Sequence, residues 1–466
     1  MKKTVIVFGN YEGSEAKAVN MLTRFLVPYL NEMPACIQAD NFCRQEGERY
    51  IFVGTKSSNR ILRAQLNFTF SQQEEYYICV EKDEVMIGGS DSVGVLYGCV
   101  DFYNRYLMVE EKTHNHSDYF RNIFEKELPD FCCSSFPKVR SRGLWTWGHV
   151  IRDYEGYLDH MALCKLNTLV LWDDYLPLNA TDILNYAHMC GVKILWGFSW
   201  LWDTDCHQIN LNQLDDTAVD NIVSLCINKY LPMGGDGIYF QSFTELHEER
   251  IGGILIAQAV ANFVNRVAEK IFMHAPNLEL QFGLHANSVR ERLDYIAMVN
   301  PNVRIIWEDC GAFPFTYCPS HTEGFMETKH FAEKLASLRG ENEKMGVVFK
   351  GFTCLDWNRF RHQSGPFVLG ESSRKFRLDG MHRKEKIWRY VQAYWMIHAK
   401  KVQEMVRVLR ENNKNGASIY ALVEDGFFEE KIYFPVAVYS EILWDCNTET
   451  DETIVQTALR EYVEFA

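Results

Sequence analysis

Apolar and polar positions along the chain fall into two regimes. Over residues 1–137, β-like runs at 3–8, 50–53, 76–80 and 84–88 are interleaved with helical spacing at 16–30 and 92–106. That pattern predicts a small α/β domain, an open sheet with helices. From 138 to 446 the alternation becomes regular. Strand-like segments at 140–148, 168–174, 193–200, 237–245, 279–285, 304–309, 346–356 and 418–424 each precede a helical segment, at 154–164, 180–190, 217–230, 252–272, 290–298, 327–338, 384–410 and 435–443. Eight βα units predict a (β/α)8 TIM barrel, with a doubly wound open sheet as runner-up. Residues 447–466 are expected to form a helical tail.

In such a barrel every strand's carboxyl end opens onto one face, the face that houses the site. Taken in order, these ends carry Trp145 and Trp147; Asp173 and Asp174; Trp200 and Trp202; Glu245; His285 and Asn287; Trp307, Glu308 and Asp309; Asp356 and Trp357; Glu424 and Asp425. A lone Trp is usually core and a lone Asp usually caps a helix, but their concentration at one end predicts a ring of indoles and carboxylates. Indole faces suit the apolar C–H faces of sugars, and carboxylates accept hydrogen bonds from hydroxyls, so the expected ligand is carbohydrate.

Glu245 ends an apolar strand with a charge that a strand covered on both faces does not need. It is the expected general acid, with Phe243 and nearby indoles shielding it from water. A second carboxylate, Asp356 first and then Glu308 or Asp309, would serve as base or nucleophile. Asp173, Asp174, Glu424 and Asp425 are read as hydroxyl ligands, Asp174 equally as a cap.

Charge narrows the partners. Among 466 residues, 62 Asp and Glu outnumber 48 Lys and Arg, a net charge of -14. This opposes nucleic acid and anionic membrane surfaces, and no apolar run approaches the ~20 residues of a membrane span. The 14 cysteines include no C-x-x-C pair. Cys79, Cys99, Cys164 and Cys226 sit in apolar patterns as free thiols, which suggests a reducing cytoplasm. Residues 88–94 read as a strand-to-helix turn capped by Asp91, not as a phosphate loop. His114 and His116 lack a third ligand, and a metal-dependent barrel using His247, His285 and Asp309 is disfavoured by Trp-Thr-Trp in the first strand. No metal or cofactor is expected. Arg359, Arg361, His362, Arg374, Lys375 and Arg377 form a basic loop, either solvated or a site for an acidic sugar such as a uronate. Assembly into a homo-oligomer is left open.

Arg142-Gly143, followed by the stretch from Leu158 through Cys164-Lys-Leu-Asn to Asp173-Asp174, resembles the barrel start of glycoside hydrolase family 20, the β-N-acetylhexosaminidases. The amino-terminal domain, with Gly94-Val-Leu-Tyr-Gly98, is similar to the one preceding the barrel in families 20, 67 and 84. The resemblance implies that Arg142 hydrogen-bonds sugar hydroxyls in the deepest subsite and that Glu245 holds the general-acid position. The family's Asp-Glu motif is here Thr244-Glu245, which departs from substrate-assisted cleavage. A non-catalytic carbohydrate-binding barrel is the competing reading.

Overall fold

The structure is a computed structural model. It describes residues 2–30, 32–82, 84–104, 130–201, 214–246, 248–286, 288–308, 324–340, 344–352, 365–413, 416–423, 428–460 and 463–464. Two sheets organise it. The first has six strands in the order Ala35–Gln38, Lys3–Phe8, Glu48–Thr55, Glu84–Gly89, Tyr76–Glu81 and Phe131–Ser135. The first four run parallel and the last two pair antiparallel. The two outermost strands were not legible in the pattern, being short edge strands that alternate half-buried with exposed residues. Asp91 caps helix Ser92–Phe102 as expected, accepting from the Gly94 N–H at 2.8 Å.

The second sheet closes. Eight parallel strands, Ser141–Trp147, Thr168–Trp172, Lys193–Ser199, Gly237–Gln241, Glu279–Leu284, Val303–Trp307, Met345–Phe349 and Ser418–Leu422, pair in sequence, the eighth with the first. This is the α/β barrel that the alternation predicted. Several elements are shorter than expected. The fourth strand stops at Gln241, and Phe243–Glu245 is a separate 3-10 turn. The helix expected over 384–410 is two helices, Arg374–Ile397 and Ala399–Glu411. Among the described residues no helix is long and apolar enough to cross a membrane.

Cys79 corrects one expectation. It lies directly opposite Cys132 on neighbouring antiparallel strands and is joined to it in a disulfide, whereas Cys99, Cys164 and Cys226 are buried free thiols. Local sequence pattern cannot show that two strands 53 residues apart bring sulfurs face to face.

Arg142 corrects another. It is the second residue of the first barrel strand and points outward, towards the small domain and away from the mouth. Its guanidinium is fully buried and donates to Glu74 at 2.6 Å and to the carbonyls of Val139 at 2.8 Å and Lys165 at 3.1 Å. Glu74 also accepts from Asn167 Nδ2 at 2.8 Å. Beside this network Lys165 pairs with Asp101 at 2.9 Å and with Glu441 at 3.0 Å. Buried charges persist only when paired and hydrogen-bonded, so these residues join the two domains and no Arg142 donor faces a sugar. Arg142→Met is expected to lower the unfolding free energy by about 3–5 kcal/mol, read from a urea midpoint. A sugar-binding role would instead weaken ligand binding at unchanged stability.

Candidate active site

Alternation along each barrel strand decides which strand-end residues reach the lumen. On the first strand Trp145 and Trp147 point inward, on the second Val170 and Trp172, on the fourth Tyr239, on the sixth Ile306, on the seventh Val348, and on the eighth Tyr420 and Leu422; together these make one interior cluster. Residues of the other parity pack against the helices. This sorts the sequence-predicted set.

Trp200, Phe243 and Trp307 point outward. Trp200 stacks on Phe240 with ring centroids 3.5 Å apart, Phe243 meets Phe263 at 6.4 Å, and Trp307 meets Phe331 at 4.9 Å. All three are core and cannot stack on a sugar. Phe243 therefore does not shield Glu245, which stands exposed on its turn. Trp145 lies in the lumen but is buried among Trp147 at 4.7 Å and Trp172 at 6.0 Å, so it fills the barrel and leaves Trp147 nearest the opening. Trp202, Asn287, Asp309, Asp356, Trp357, Glu424 and Asp425 lie outside the described residues, as does His247.

The centre of the site is Glu308, directly after the sixth strand and fully buried. Its Oε1 accepts from Tyr239 Oη at 2.6 Å and from Gln241 Nε2 at 2.7 Å. Its Oε2 lies 2.9 Å from His285 Nε2 and 3.3 Å from the Lys350 ammonium. Burial alone would raise its pKa, but the charges of His285 and Lys350 and the hydrogen bonds from His285 and Tyr239 outweigh it. The carboxyl is held well below the usual range. Tyr239 moves the other way: burial and the adjacent carboxylate push its phenol well above its ordinary value, so it stays a donor. Glu308 is thus a fixed anion with both oxygens occupied. It cannot offer a proton, but it can favour positive charge developing above it.

Room for this cluster comes from Gly283 on the fifth strand, between the fourth and the sixth. A Cβ there would lie 2.1 Å from Glu308 Oε1 and 2.6 Å from Tyr239 Oη.

His285 links this anion to Glu245. Its backbone N–H donates to Thr244 Oγ1 at 3.1 Å, and Ser288 Oγ donates to the Thr244 carbonyl at 2.9 Å. The turn that presents Glu245 is therefore fastened to the loop that presents the His285 ring to Glu308. Thr244 itself is fully buried.

On the opposite rim Asp173 is buried, with its carboxylate 3.3 Å from His149 Nδ1, and lines a small recess with Tyr175, Tyr230 and Phe367. Asp174 is half-buried. The only close grouping of metal-ligating residue types among the described residues is Cys79, Glu81 and Cys132 in the small domain, where the two sulfurs are taken up in the disulfide.

Sequence reasoning missed Tyr239, Gln241, Lys350 and Trp172. The signal was present: Tyr239 and Gln241 are alternate polar positions in an otherwise apolar strand, Lys350 directly follows the apolar run Met345–Phe349, and Trp172 immediately precedes Asp173.

No protein-family model matches the chain, and no curated protein matches it. Solved structures do. CpGH84B superposes with a TM-score of 0.56 at 10% identity, covering 97% of this chain and 70% of its own length. A GH138 enzyme targeting pectin rhamnogalacturonan II gives 0.56 at 13% identity, covering 97% of this chain and 65% of its own. The β-N-acetylhexosaminidase from Bacteroides fragilis NCTC 9343 gives 0.54 at 11% identity, covering 95% of this chain and 87% of its own. The fold shared with these glycoside hydrolases extends over both domains.

Two outcomes follow from this geometry. Gly283→Ala is expected to displace Glu308 and to cost about 1–3 kcal/mol, as overpacking does, seen as a lower denaturation midpoint. The second concerns Glu429, in the loop after the eighth strand, whose carboxylate accepts from the Arg152 N–H at 2.9 Å. Burial pushes its carboxyl from 4.5 up to about 7. The unfolded chain releases this proton first, so stability falls as pH rises from about 4.5 to about 7 and then levels off. Glu429→Gln keeps the acceptor and removes the titration. It is expected to exceed the wild type in stability by about 1–3 kcal/mol at about pH 8, with no advantage near pH 4.5.

Proposed function

We propose that this protein is a glycoside hydrolase, exo-acting on a small oligosaccharide or glycoconjugate, with Glu245 as general acid. The observation that carries the reading is His285, which fastens the exposed Glu245 turn through Thr244 and meets the buried Glu308 anion through its ring. A glycosidic bond breaks when its oxygen is protonated while positive charge grows on the sugar ring. An exposed carboxyl, linked to a fixed anion through Thr244 and His285, is the pair proposed to supply both needs. Asp356, which follows the seventh strand in the sequence, is the proposed base or nucleophile, and Trp147, Asp173 and Asp174 the proposed sugar contacts, with Glu424 and Asp425, which follow the eighth strand in the sequence.

The sequence resemblance over 142–174 and the fold neighbours support this reading. One of those neighbours is itself a β-N-acetylhexosaminidase. A substrate-assisted route would need a carboxylate at 244 to orient an acetamido group. Thr244 is buried and its hydroxyl accepts from the His285 N–H, so the route with two enzyme carboxylates is preferred. A non-catalytic carbohydrate-binding barrel is the second reading, favoured by the extent to which Trp145, Trp147 and Trp172 already fill the lumen.

A panel of chromogenic glycosides tests the proposal. Glu245→Gln is expected to lower kcat about 10²–10⁴-fold on substrates with poor leaving groups, and much less on dinitrophenyl glycosides, which leave without protonation. Asp356→Asn is expected to abolish turnover of both kinds. A wild-type chain that binds sugars and cleaves no member of the panel would favour the binding-module reading.

A further inference from the structure

Helix Arg374–Ile397 begins beside the mouth. Its Arg377 pairs with Asp153, after the first strand, at 3.2 Å, and with Glu430, after the eighth. The inner side buries Trp388, Val391 and Trp395 against the barrel. The outer side is of another kind. Lys375, Arg383, Lys386 and Arg389 are exposed there, together with Phe376, Ile387 and Tyr390, which are 49%, 47% and 62% exposed.

The helix carries seven Lys and Arg against Asp379 and Glu385, the inverse of a chain in which carboxylates outnumber cations 62 to 48. Phe376, Arg383 and Tyr390 are seven residues apart and so share one stripe, with Lys386 and Ile387 alongside. Among the described residues Lys375, Arg383 and Lys386 take part in no ion pair. The run expected to be a basic loop is thus, from Arg374 on, a cationic helix face; Arg359, Arg361 and His362 lie outside the described residues.

Uncompensated like charges on one helix face repel, and exposed rings gain by being covered. We propose that this face docks an acidic polysaccharide whose chain end enters the mouth. Carboxylates or sulfates of the polymer pair with Lys375, Arg383 and Lys386, Arg389 being already paired with Glu385 at 2.9 Å, and the C–H faces of its sugars stack on Phe376 and Tyr390. The choice of occupant rests on the glycosidase reading of the mouth. The chain's net negative charge does not prevent this, because charges beyond about 8 Å are screened at physiological salt. A membrane is a poorer fit, since the exposed apolar residues stand singly between cations and form no continuous apolar face. A second copy is poorer still, since it would set cations against cations.

Affinity electrophoresis of the full chain is the test. Alginate in the gel is expected to retard the protein where neutral dextran does not, and added salt to cancel the effect. The triple variant Lys375→Glu, Arg383→Glu, Lys386→Glu is expected to lose at least about tenfold in apparent affinity, with unchanged circular dichroism and melting temperature. Equal retardation by alginate and dextran, or of wild type and variant, would overturn the proposal. So would tighter capture by phosphatidylserine vesicles, or a dimer that the variant dissolves while alginate has no effect. Electrophoresis needs no turnover, so retardation without hydrolysis of any glycoside would sink the catalytic reading and leave this one standing.

Discussion

The buried charge of Glu308 constrains everything around the mouth. An ion withdrawn from water costs several kcal/mol unless its surroundings compensate, and here the compensation is drawn from three other places on the barrel. Tyr239 and Gln241 come from the fourth strand, His285 follows the fifth and Lys350 follows the seventh. A slip of one residue in any of these strands would turn its contribution towards the helices. One carboxylate therefore ties the register of half the barrel to the chemistry of its opening, and the bare backbone of Gly283 leaves the space in which it does so.

The barrel was legible because strand and helix periods alternate eight times, a signal that survives errors of several residues at each boundary. The site was legible only by half. Taking every strand-end residue as a mouth residue ignored the two-residue period of a strand, which sends Trp200 and Trp307 to the helix layer while Trp145 and Glu308 stay inside. The same rule would have drawn attention to Tyr239, Gln241 and Lys350. Arg142 was misplaced for a different reason: its partner Glu74 belongs to another domain, and no local pattern shows which domain a buried cation will face.

Charge is distributed unevenly around the barrel's carboxyl end. Among the described residues the buried Glu308 anion, Asp173 and Trp147 lie at the barrel's carboxyl end, and helix Arg374–Ile397 beside it carries seven Lys and Arg against two carboxylates. Glu245 is exposed on its turn, whereas Glu308 is sealed and held as an anion by His285 and Lys350.

The salt links between the domains carry a consequence for how this molecule came to be one piece. Glu74 and Lys165 both adopt left-handed backbone, with φ of 57° and 53°, a conformation that non-glycine residues hold only when their neighbourhood compels it. Each reaches across the same boundary, Glu74 to Arg142 and Lys165 to Asp101. A barrel cut free near residue 137 would lose Glu74 from Arg142 and Asp101 from Lys165, leaving Lys165 with Glu441 alone. The amino-terminal domain is accordingly part of the electrostatic foundation on which the barrel rests.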